Sequence, residues 1–114
     1  ALKHEIVSNA KVFNGFMIGS CMSDSKHIRI VTSSAADDML NIDGVRASFV
    51  ISKLGIGKFQ VSARSFGEEN VQLIMEKLGG GGHSTMAATQ IKASDVEEVK
   101  NLLVDAVNEY LNSK

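Results

Sequence analysis

Two neighbouring segments, residues 45–52 and 58–65, alternate apolar and polar side chains, and this period of two predicts adjacent β-strands. The apolar face of the pair consists of Val45, Ala47, Phe49, Ile51, Phe59, Val61 and Ala63. The connection Leu54-Gly55-Ile56-Gly57 is short and contains glycines, as is typical of a hairpin. Because the apolar face has to be covered, the rest of the chain must supply helices that pack on a sheet.

Three further segments are rich in strand-forming side chains and predict strands. They are residues 12–22, 28–31 and 86–92. The first segment contains Gly15 and Gly19, either of which suits a β-bulge, and residues 24–26 predict the turn that follows it. With the hairpin, these segments predict a mixed sheet of about five strands.

Helix starts are predicted where a serine is followed three residues later by an acidic residue, at Ser34, Ser65 and Ser94. The second helix, starting near residue 66 or a little later, carries an apolar stripe. The stripe consists of Val71, Ile74, Met75 and Leu78. The last helix has a similar stripe from Val96 to Tyr110. Helices and strands alternate irregularly along the chain, so we expect an α/β (α+β) fold with the helices packed on the sheet.

The chain has 114 residues and 44% hydrophobic content, which are typical of one globular domain. Because it begins at Ala1 in a helix-like segment, we expect residues 1–11 to be the end of a linker or helix from a preceding domain, and residues 12–114 to be the domain itself. No stretch approaches the ~18 apolar residues of a membrane span, no signal peptide is visible, and Cys21 has no second cysteine to pair with. These features suit the cytoplasm.

The formal net charge of −1 provides no broad cationic field. Non-specific nucleic-acid binding depends on such a field, because the backbone phosphates dominate its affinity. Any nucleotide recognition must therefore be local and directed at a small or short ligand.

Four consecutive glycines, Gly79 to Gly82, precede His83. Gly79 stands at the position after the second helix, where a left-handed residue closes a helix. The helix provides no reason for Gly80, Gly81 and Gly82. A glycine loop of this kind lets backbone N–H groups face an anion, and His83 can donate to a phosphate oxygen or a base edge. The run predicts an anion or nucleotide pocket, with a simple helix stop as the alternative.

Arg64 and Ser65, at the end of the second hairpin strand, are the other candidate ligand contacts. A guanidinium can bind a phosphate through two parallel hydrogen bonds, whereas the alternative is a strand arginine that faces solvent. The ~11-residue helix expected after Ser65 would separate this strand end from the glycine loop by about 16 Å. The ligand would then have to be extended, as a dinucleotide is, or the loop would have to fold back.

Several other nucleotide and metal motifs are absent from the sequence. His83 stands where a P-loop has lysine, and Gly55-Ile56-Gly57 lacks the third glycine of a dinucleotide-binding fingerprint. His4 and His27 are scattered, with no second ligand at metal-binding spacing, and the aspartates at 37–38 are better explained by a helix start. We therefore predict no catalytic and no metal-ligating residue in this chain.

A combined pattern emerges from four short segments. They are Val61-Ser62-Ala63-Arg64-Ser65, Asn70-Val71, Gly79 to His83 and Ala87-Ala88-Thr89. Together they resemble the DHH-associated domain, the C-terminal substrate-binding domain of the DHH phosphoesterase family. The resemblance covers most of the chain and is strongest over residues 58–92. Residues 70–83 are most similar to the membrane-anchored cyclic di-AMP phosphodiesterases of Gram-positive bacteria, which carry transmembrane helices, sensory and degenerate GGDEF domains and a DHH domain.

This resemblance implies a role for each candidate residue. Gly80, Gly81, Gly82 and His83 correspond to the family's substrate-binding glycine-histidine motif, and Arg64 with Ser65 to its arginine-serine motif. In the family, a DHH domain holds two manganese ions, and the DHH-associated domain closes over the cleft and binds the phosphates and base of the substrate.

The resemblance also implies that the chemistry lies outside this chain. No D-H-H triplet or aspartate set for metals occurs here, and two-metal hydrolysis needs both ions. The implied manganese cofactor therefore belongs to a DHH domain of the same polypeptide. The expected function is that of the substrate-binding domain of a manganese-dependent phosphodiesterase that hydrolyses cyclic di-AMP to linear pApA, in the cytoplasmic part of a membrane-anchored protein.

Three other functions stay open. The chain could belong to a short-oligonucleotide (nanoRNA) exonuclease of the same family, or be a stand-alone nucleic-acid-binding module like related domains in tRNA-charging enzymes. It could also be a structural or dimerising domain whose glycines only end a helix. The expected partners are accordingly a cyclic dinucleotide or short oligonucleotide, the DHH domain, and a second copy of the chain in a homodimer.

Overall fold

The computed structural model describes residues 2–23 and 26–114. The elements are α1 (Leu2–Asn9), β1 (Lys11–Phe13), β2 (Phe16–Cys21), α2 (Ile28–Leu40), β3 (Ala47–Gly55), β4 (Lys58–Ser65), α3 (Val71–Glu76), β5 (Gly81–Gly82), β6 (Met86–Lys92) and α4 (Val96–Asn112). Within these residues the strands form a six-stranded sheet in the order β1-β2-β3-β4-β6-β5. Strands β2 and β3 run parallel, and every other neighbouring pair is antiparallel. The expected mixed α/β fold is confirmed, with one strand more than the five expected.

The sheet has two differently covered faces. Its apolar face lies under α3 and α4, and the main core forms there around Phe16, Phe49 and Val61. A second core on the other face joins α1 and α2 to the sheet through Met17 and Val50. The alternation of β3 and β4 predicted the first core. It did not predict the second, because the residues that face α2 from the sheet include serines and were expected to meet solvent.

Residues 12–22 form a hairpin and not one bulged strand. The chain reverses at Asn14 and Gly15, whose φ angles of +51° and +82° are both left-handed. Two such residues between strands make the tight turn that matches strand twist. Gly19 is also not a bulge: a Cβ there would lie 2.9 Å from the carbonyl oxygen of Ile6, so the glycine lets α1 approach β2.

Residues 28–31 begin helix α2 and do not form a strand. A parallel neighbour such as β3 can be reached from β2 only through a crossover, which is usually a helix. Ser34 and the aspartates at 37–38 therefore lie inside α2 and do not start it. Asp24 and Ser25 of the expected turn lie outside the described residues, whereas Lys26 is in a turn.

The starts of α3 and α4 also differ from the predicted ones. The cap of α3 is Asn70, whose side chain accepts a hydrogen bond from the backbone N–H of Leu73 at 3.3 Å, so the helix has six residues. The cap of α4 is Asp95 and not Ser94. The predicted stripe of α4 is confirmed, since its residues from Val99 to Tyr110 contribute to the main core.

None of the described helices combines the length and apolar character that crossing a bilayer demands.

Candidate functional site

Pairing of β4 with β6 brings Arg64 and Ser65 next to the turn that follows the glycine run. Arg64 lies opposite Met86 in this ladder. The backbone N–H of Ser65 donates to the carbonyl of Thr85 at 3.0 Å, and its hydroxyl donates to the carbonyl of Ser84 at 2.9 Å. The predicted helix cap at Ser65 is wrong, because α3 begins at Val71 and has Asn70 as its cap. The Ser65 hydroxyl instead joins this strand end to a residue nineteen positions away in sequence.

The turn itself consists of residues 83–86 and is called the His83 turn below. The backbone N–H of His83 donates to the carbonyl of Met86 at 2.7 Å, and the N–H of Met86 donates back at 3.3 Å. The His83 side chain is exposed. Of the two predicted alternatives, an extended ligand or a loop that folds back, the structure has the second: α3 has six residues and not about eleven, and the chain folds back along β5 so that Ser65 is bonded to the His83 turn.

Two of the three candidate glycines have a structural reason that the sequence did not indicate. A Cβ on Gly80 would overlap the carbonyl oxygen of Ala88 and the side chain of Thr89. Gly82 has a φ of +141°, and a Cβ there would lie 2.6 Å from the Cα of Ala87. Both glycines therefore let the loop lie directly against β6. As predicted, Gly79 closes α3 with a φ of +85°.

Gly81 differs from its neighbours because a Cβ on it would meet nothing within 4 Å. Its backbone is not in the left-handed region either. The fold therefore has no need for a glycine at this position. Open space above Gly81 is what a ligand that approaches the backbone closely would require.

Arg64 is largely buried. It is therefore not the solvent-facing strand arginine that the sequence left open as an alternative. Its side chain is 11% exposed, and its Nε lies 3.3 Å from Oδ1 of Asp37 on α2. One terminal nitrogen, Nη1, donates to the carbonyl of Ala63 at 2.9 Å. Nε is the one buried side-chain polar atom, among the residues that the structure describes, without a hydrogen-bond partner. Since a guanidinium has five donors, Arg64 retains hydrogen-bonding capacity for an anion.

A polar face extends from Arg64 across the outer strands. Three rows of paired residues form it: Arg64 with Met86, Ser62 with Ala88 and Gly81, and Gln60 with Gln90. At its far end lies a shallow cleft of about 410 Å³. Its lining comprises Gln60, Gly79, Gly80, Ala88, Thr89 and Gln90. Sequence reasoning placed Gln60 on the outward face but did not connect it with Gln90, since only strand pairing brings the two together.

A buried carboxylate, Glu69, organises the segment between β4 and α3. It is 2% exposed, and its oxygens accept hydrogen bonds from Lys114 at 2.6 Å and Tyr110 at 3.1 Å, while Arg46 lies 2.8 Å away. The Tyr110 hydroxyl in turn accepts from the backbone N–H of Asn70 at 2.9 Å. These contacts fix where α3 begins.

The charge state of Glu69 follows from this environment. Burial opposes its ionisation, but hydrogen bonds from Lys114 and Tyr110 and the charge of Arg46 outweigh burial and lower the pKa of the carboxyl below its ordinary 4.5. The same hydrogen bond raises the pKa of the Lys114 ammonium. Nothing in the sequence distinguished Glu69 from the neighbouring Glu68, because the difference is one of burial.

Side chains that could bind a metal ion do not cluster anywhere in the described residues. Over residues 2–23 and 26–114, no group of three or more His, Cys, Asp or Glu side chains could hold a metal ion. The described residues therefore offer no site for the manganese that the resemblance assigns to a DHH domain.

Comparison with known proteins identifies the same family that the sequence motifs resemble. The family model described as "DHHA1 domain" matches residues 14–113. The chain is 44% identical over 97 residues to the cyclic-di-AMP phosphodiesterase GdpP of Geobacillus thermodenitrificans, covering 85% of this chain and 15% of the relative. It is 39% identical over 109 residues to the cyclic-di-AMP phosphodiesterase PdeA of Listeria monocytogenes, covering 95% and 17%. The chain thus spans about a sixth of the length of these curated relatives.

Solved structures show the same fold at lower sequence identity. An exopolyphosphatase-related protein from Bacteroides fragilis superposes with a TM-score of 0.78 at 21% identity, covering 96% of this chain and 34% of that one. RecJ from Thermus thermophilus, solved in complex with Mn²⁺, superposes with a TM-score of 0.61 at 16% identity, covering 96% and 16%.

Proposed function

This chain belongs to the DHHA1 domain family, and on that premise we propose that it is the substrate-binding domain of a manganese-dependent phosphodiesterase that hydrolyses cyclic di-AMP to linear pApA. The observation that carries the proposal is the bond between Ser65 and Ser84, which joins the arginine-serine strand end to the His83 turn. The two candidate motifs, separated in sequence, thereby form one surface. The identity to two cyclic-di-AMP phosphodiesterases supports the choice of substrate.

In this proposal the residues of the chain bind and orient the substrate. The Arg64 guanidinium offers charge-assisted hydrogen bonds to a phosphate, and the exposed His83 imidazole offers a further donor. Gly81 leaves room for the ligand beside the backbone. Partial burial of Arg64 strengthens its attraction for a phosphate, because the surroundings screen charge less than water does.

Hydrolysis belongs to another part of the proposed protein. The donor set for manganese is proposed to lie in a DHH domain of the same polypeptide, where the metals would activate water and stabilise the leaving oxygen. The full-length protein is proposed to be anchored in the membrane with this domain on its cytoplasmic side, and a homodimer remains a prediction.

The test uses the full-length protein that carries this chain, with Arg64→Ala and His83→Ala variants. Loss of a hydrogen bond to a charged group should lower kcat/KM for cyclic di-AMP by roughly 10- to 100-fold in each variant. Matched controls are Arg29→Ala on α2 and His4→Ala on α1, both exposed and outside the strands and turn that carry the candidate residues, which should keep wild-type kcat/KM.

Calorimetry with cyclic di-AMP, linear pApA and single-stranded DNA separates the competing functions. The proposal predicts heat with the two dinucleotides and none with the DNA. Preference for pApA over the cyclic compound would favour a short-oligonucleotide nuclease, and binding of DNA alone would favour a nucleic-acid-binding module. Full activity in both Arg64→Ala and His83→Ala would refute the substrate-binding role.

A further inference from the structure

The cleft at the far end of the polar face contains two glutamines that are directly paired across strands. Gln60 of β4 and Gln90 of β6 are opposite residues in the antiparallel ladder and line the same cleft of about 410 Å³. Directly opposite residues have Cβ atoms about 5 Å apart, so the two carboxamides can reach one ligand together. No other pair of amide side chains lies opposite each other in the ladders of the described strands.

Neither glutamine side chain is used in a polar contact within the fold. Within residues 2–23 and 26–114, no hydrogen bond or ion pair involves either carboxamide. Gln90 is exposed and Gln60 is half-buried. The third glutamine of the chain behaves differently: Gln72 on α3 donates to Glu76 at 3.2 Å.

Distance along the strand separates these amides from the proposed phosphate contact. Gln60 precedes Arg64 by four residues on the same face of β4, which corresponds to about 13 Å. The row between them has small side chains, Ser62 and Ala88, and beyond Ala88 lies Gly81. Ser62 is only 4% exposed, so a ligand that joins the two positions has to pass over the half-buried Ala88 and Gly81. A flat base meets no large side chain there, while its phosphate stays near Arg64.

We propose that Gln60 and Gln90 form a base subsite that recognises adenine. This inference rests on the proposed function, since it concerns the nucleotide whose phosphate Arg64 would bind. A carboxamide presents one donor and one acceptor side by side, which matches the 6-amino group and N7 of adenine. Guanine presents two acceptors, O6 and N7, at the same edge, so the carboxamide oxygen would face an acceptor and remain unpaired. A carboxamide that contacts this edge with both its oxygen and its nitrogen therefore pairs with adenine and not with guanine.

The experiment measures base preference in the full-length protein. Values of kcat/KM are determined for cyclic di-AMP and cyclic di-GMP with Gln60→Leu, Gln90→Leu and the double variant. Gln72→Leu, a glutamine outside the cleft, is the matched control. Because a good bidentate contact distinguishes bases by about tenfold or more, the adenine-over-guanine ratio should fall about tenfold in each single variant and stay unchanged in the control. Hydrolysis of bis(p-nitrophenyl) phosphate, which has no base, should not change.

Each alternative outcome has a distinct meaning. An unchanged ratio in an active Gln60→Leu/Gln90→Leu double variant overturns the subsite and leaves the proposed function intact. An equal loss with bis(p-nitrophenyl) phosphate also overturns it, because the lost interaction would then not involve the base. Absence of both binding and hydrolysis of adenine dinucleotides by the wild-type protein overturns the proposed function, and the subsite with it.

Discussion

At the scale of single residues, the glycine run combines two kinds of glycine that look the same in the sequence. Gly80 and Gly82 are required by the fold because β6 lies where their side chains would be. Gly81 has free space and an ordinary backbone conformation. Stability and ligand binding should therefore respond to substitution at different members of the run.

We predict that Gly81→Ala keeps its free energy of unfolding within about 0.5 kcal/mol of wild type, as is usual for a residue without tight contacts, but weakens binding of cyclic di-AMP. Gly80→Ala, in contrast, should lose about 1–3 kcal/mol or more, because a Cβ overlaps the backbone of β6. Urea unfolding and calorimetric titration measure the two quantities. Equal affinity of Gly81→Ala and wild type would remove Gly81 from the site.

At the scale of elements, the link between α3 and β6 determines where the glycine loop lies. The hydroxyl of Thr89 on β6 donates to the carbonyl of Leu78 at 2.9 Å, just before the run begins. Strand β5 is only two residues long, so its pairing with β6 provides few bonds of its own. The position of the loop therefore depends on this side-chain bond as well as on the β-ladder.

We expect Thr89→Val, which keeps the side-chain shape but removes the hydroxyl, to destabilise the protein by about 1 kcal/mol and to accelerate amide hydrogen exchange in residues 79–83. Thr32→Val is the matched control. Its hydroxyl is also buried and bonded to a backbone carbonyl, that of Arg29, but it lies on α2. Similar exchange in residues 79–83 of the two variants would show that Thr89 does not hold the loop.

At the scale of the whole molecule, Glu69 joins parts of the chain that are far apart in sequence. Its carboxylate contacts Arg46 ahead of β3 and Tyr110 and Lys114 at the end of α4, while Asn70 beside it caps α3. Such a buried anion is favourable only while its cationic and hydroxyl partners remain in place. The geometry of the segment after Ser65 thus depends on the residue before β3 and on the C-terminal end of α4.

The lowered pKa of the Glu69 carboxyl makes the stability of the protein depend on pH. A carboxyl whose pKa is lower in the folded than in the unfolded state contributes stability above its unfolded value, ordinarily 4.5, and loses it as the pH falls through the folded value. We predict that Glu69→Gln loses about 1–3 kcal/mol at pH 7 and that the difference from wild type shrinks below about pH 4.5. Glu68→Gln, the exposed neighbour, should follow the wild-type curve. Denaturant unfolding from pH 3 to 8 measures this, and parallel curves for Glu69→Gln and wild type would contradict it.

Local patterns were sufficient for the regular parts of the structure. The alternation in β3 and β4, the strand at 86–92, the stripe of α4 and the left-handed Gly79 are all confirmed, because each depends on the period or conformation of neighbouring residues. The family is confirmed as well, since its motifs are short runs of contiguous residues. Helix starts were less predictable: Ser34 and Ser65 have the pattern of caps, but a crossover helix and a cross-strand bond determine what they do.

The kind of ligand that these residues can bind could therefore be predicted from the sequence by itself. Which residues lie close together in the fold could not. Arginine, histidine and glycine in these motifs indicated an anion-binding surface, because their donors and backbone freedom are properties of the residues themselves. Only the tertiary structure places Ser65 beside Ser84, pairs Gln60 with Gln90, buries Glu69 and packs α2 against the face of the sheet that carries Ser48. The physical reason is that these contacts arise from β4–β6 pairing and helix packing between distant segments, for which neither periodicity nor spacing carries a signal.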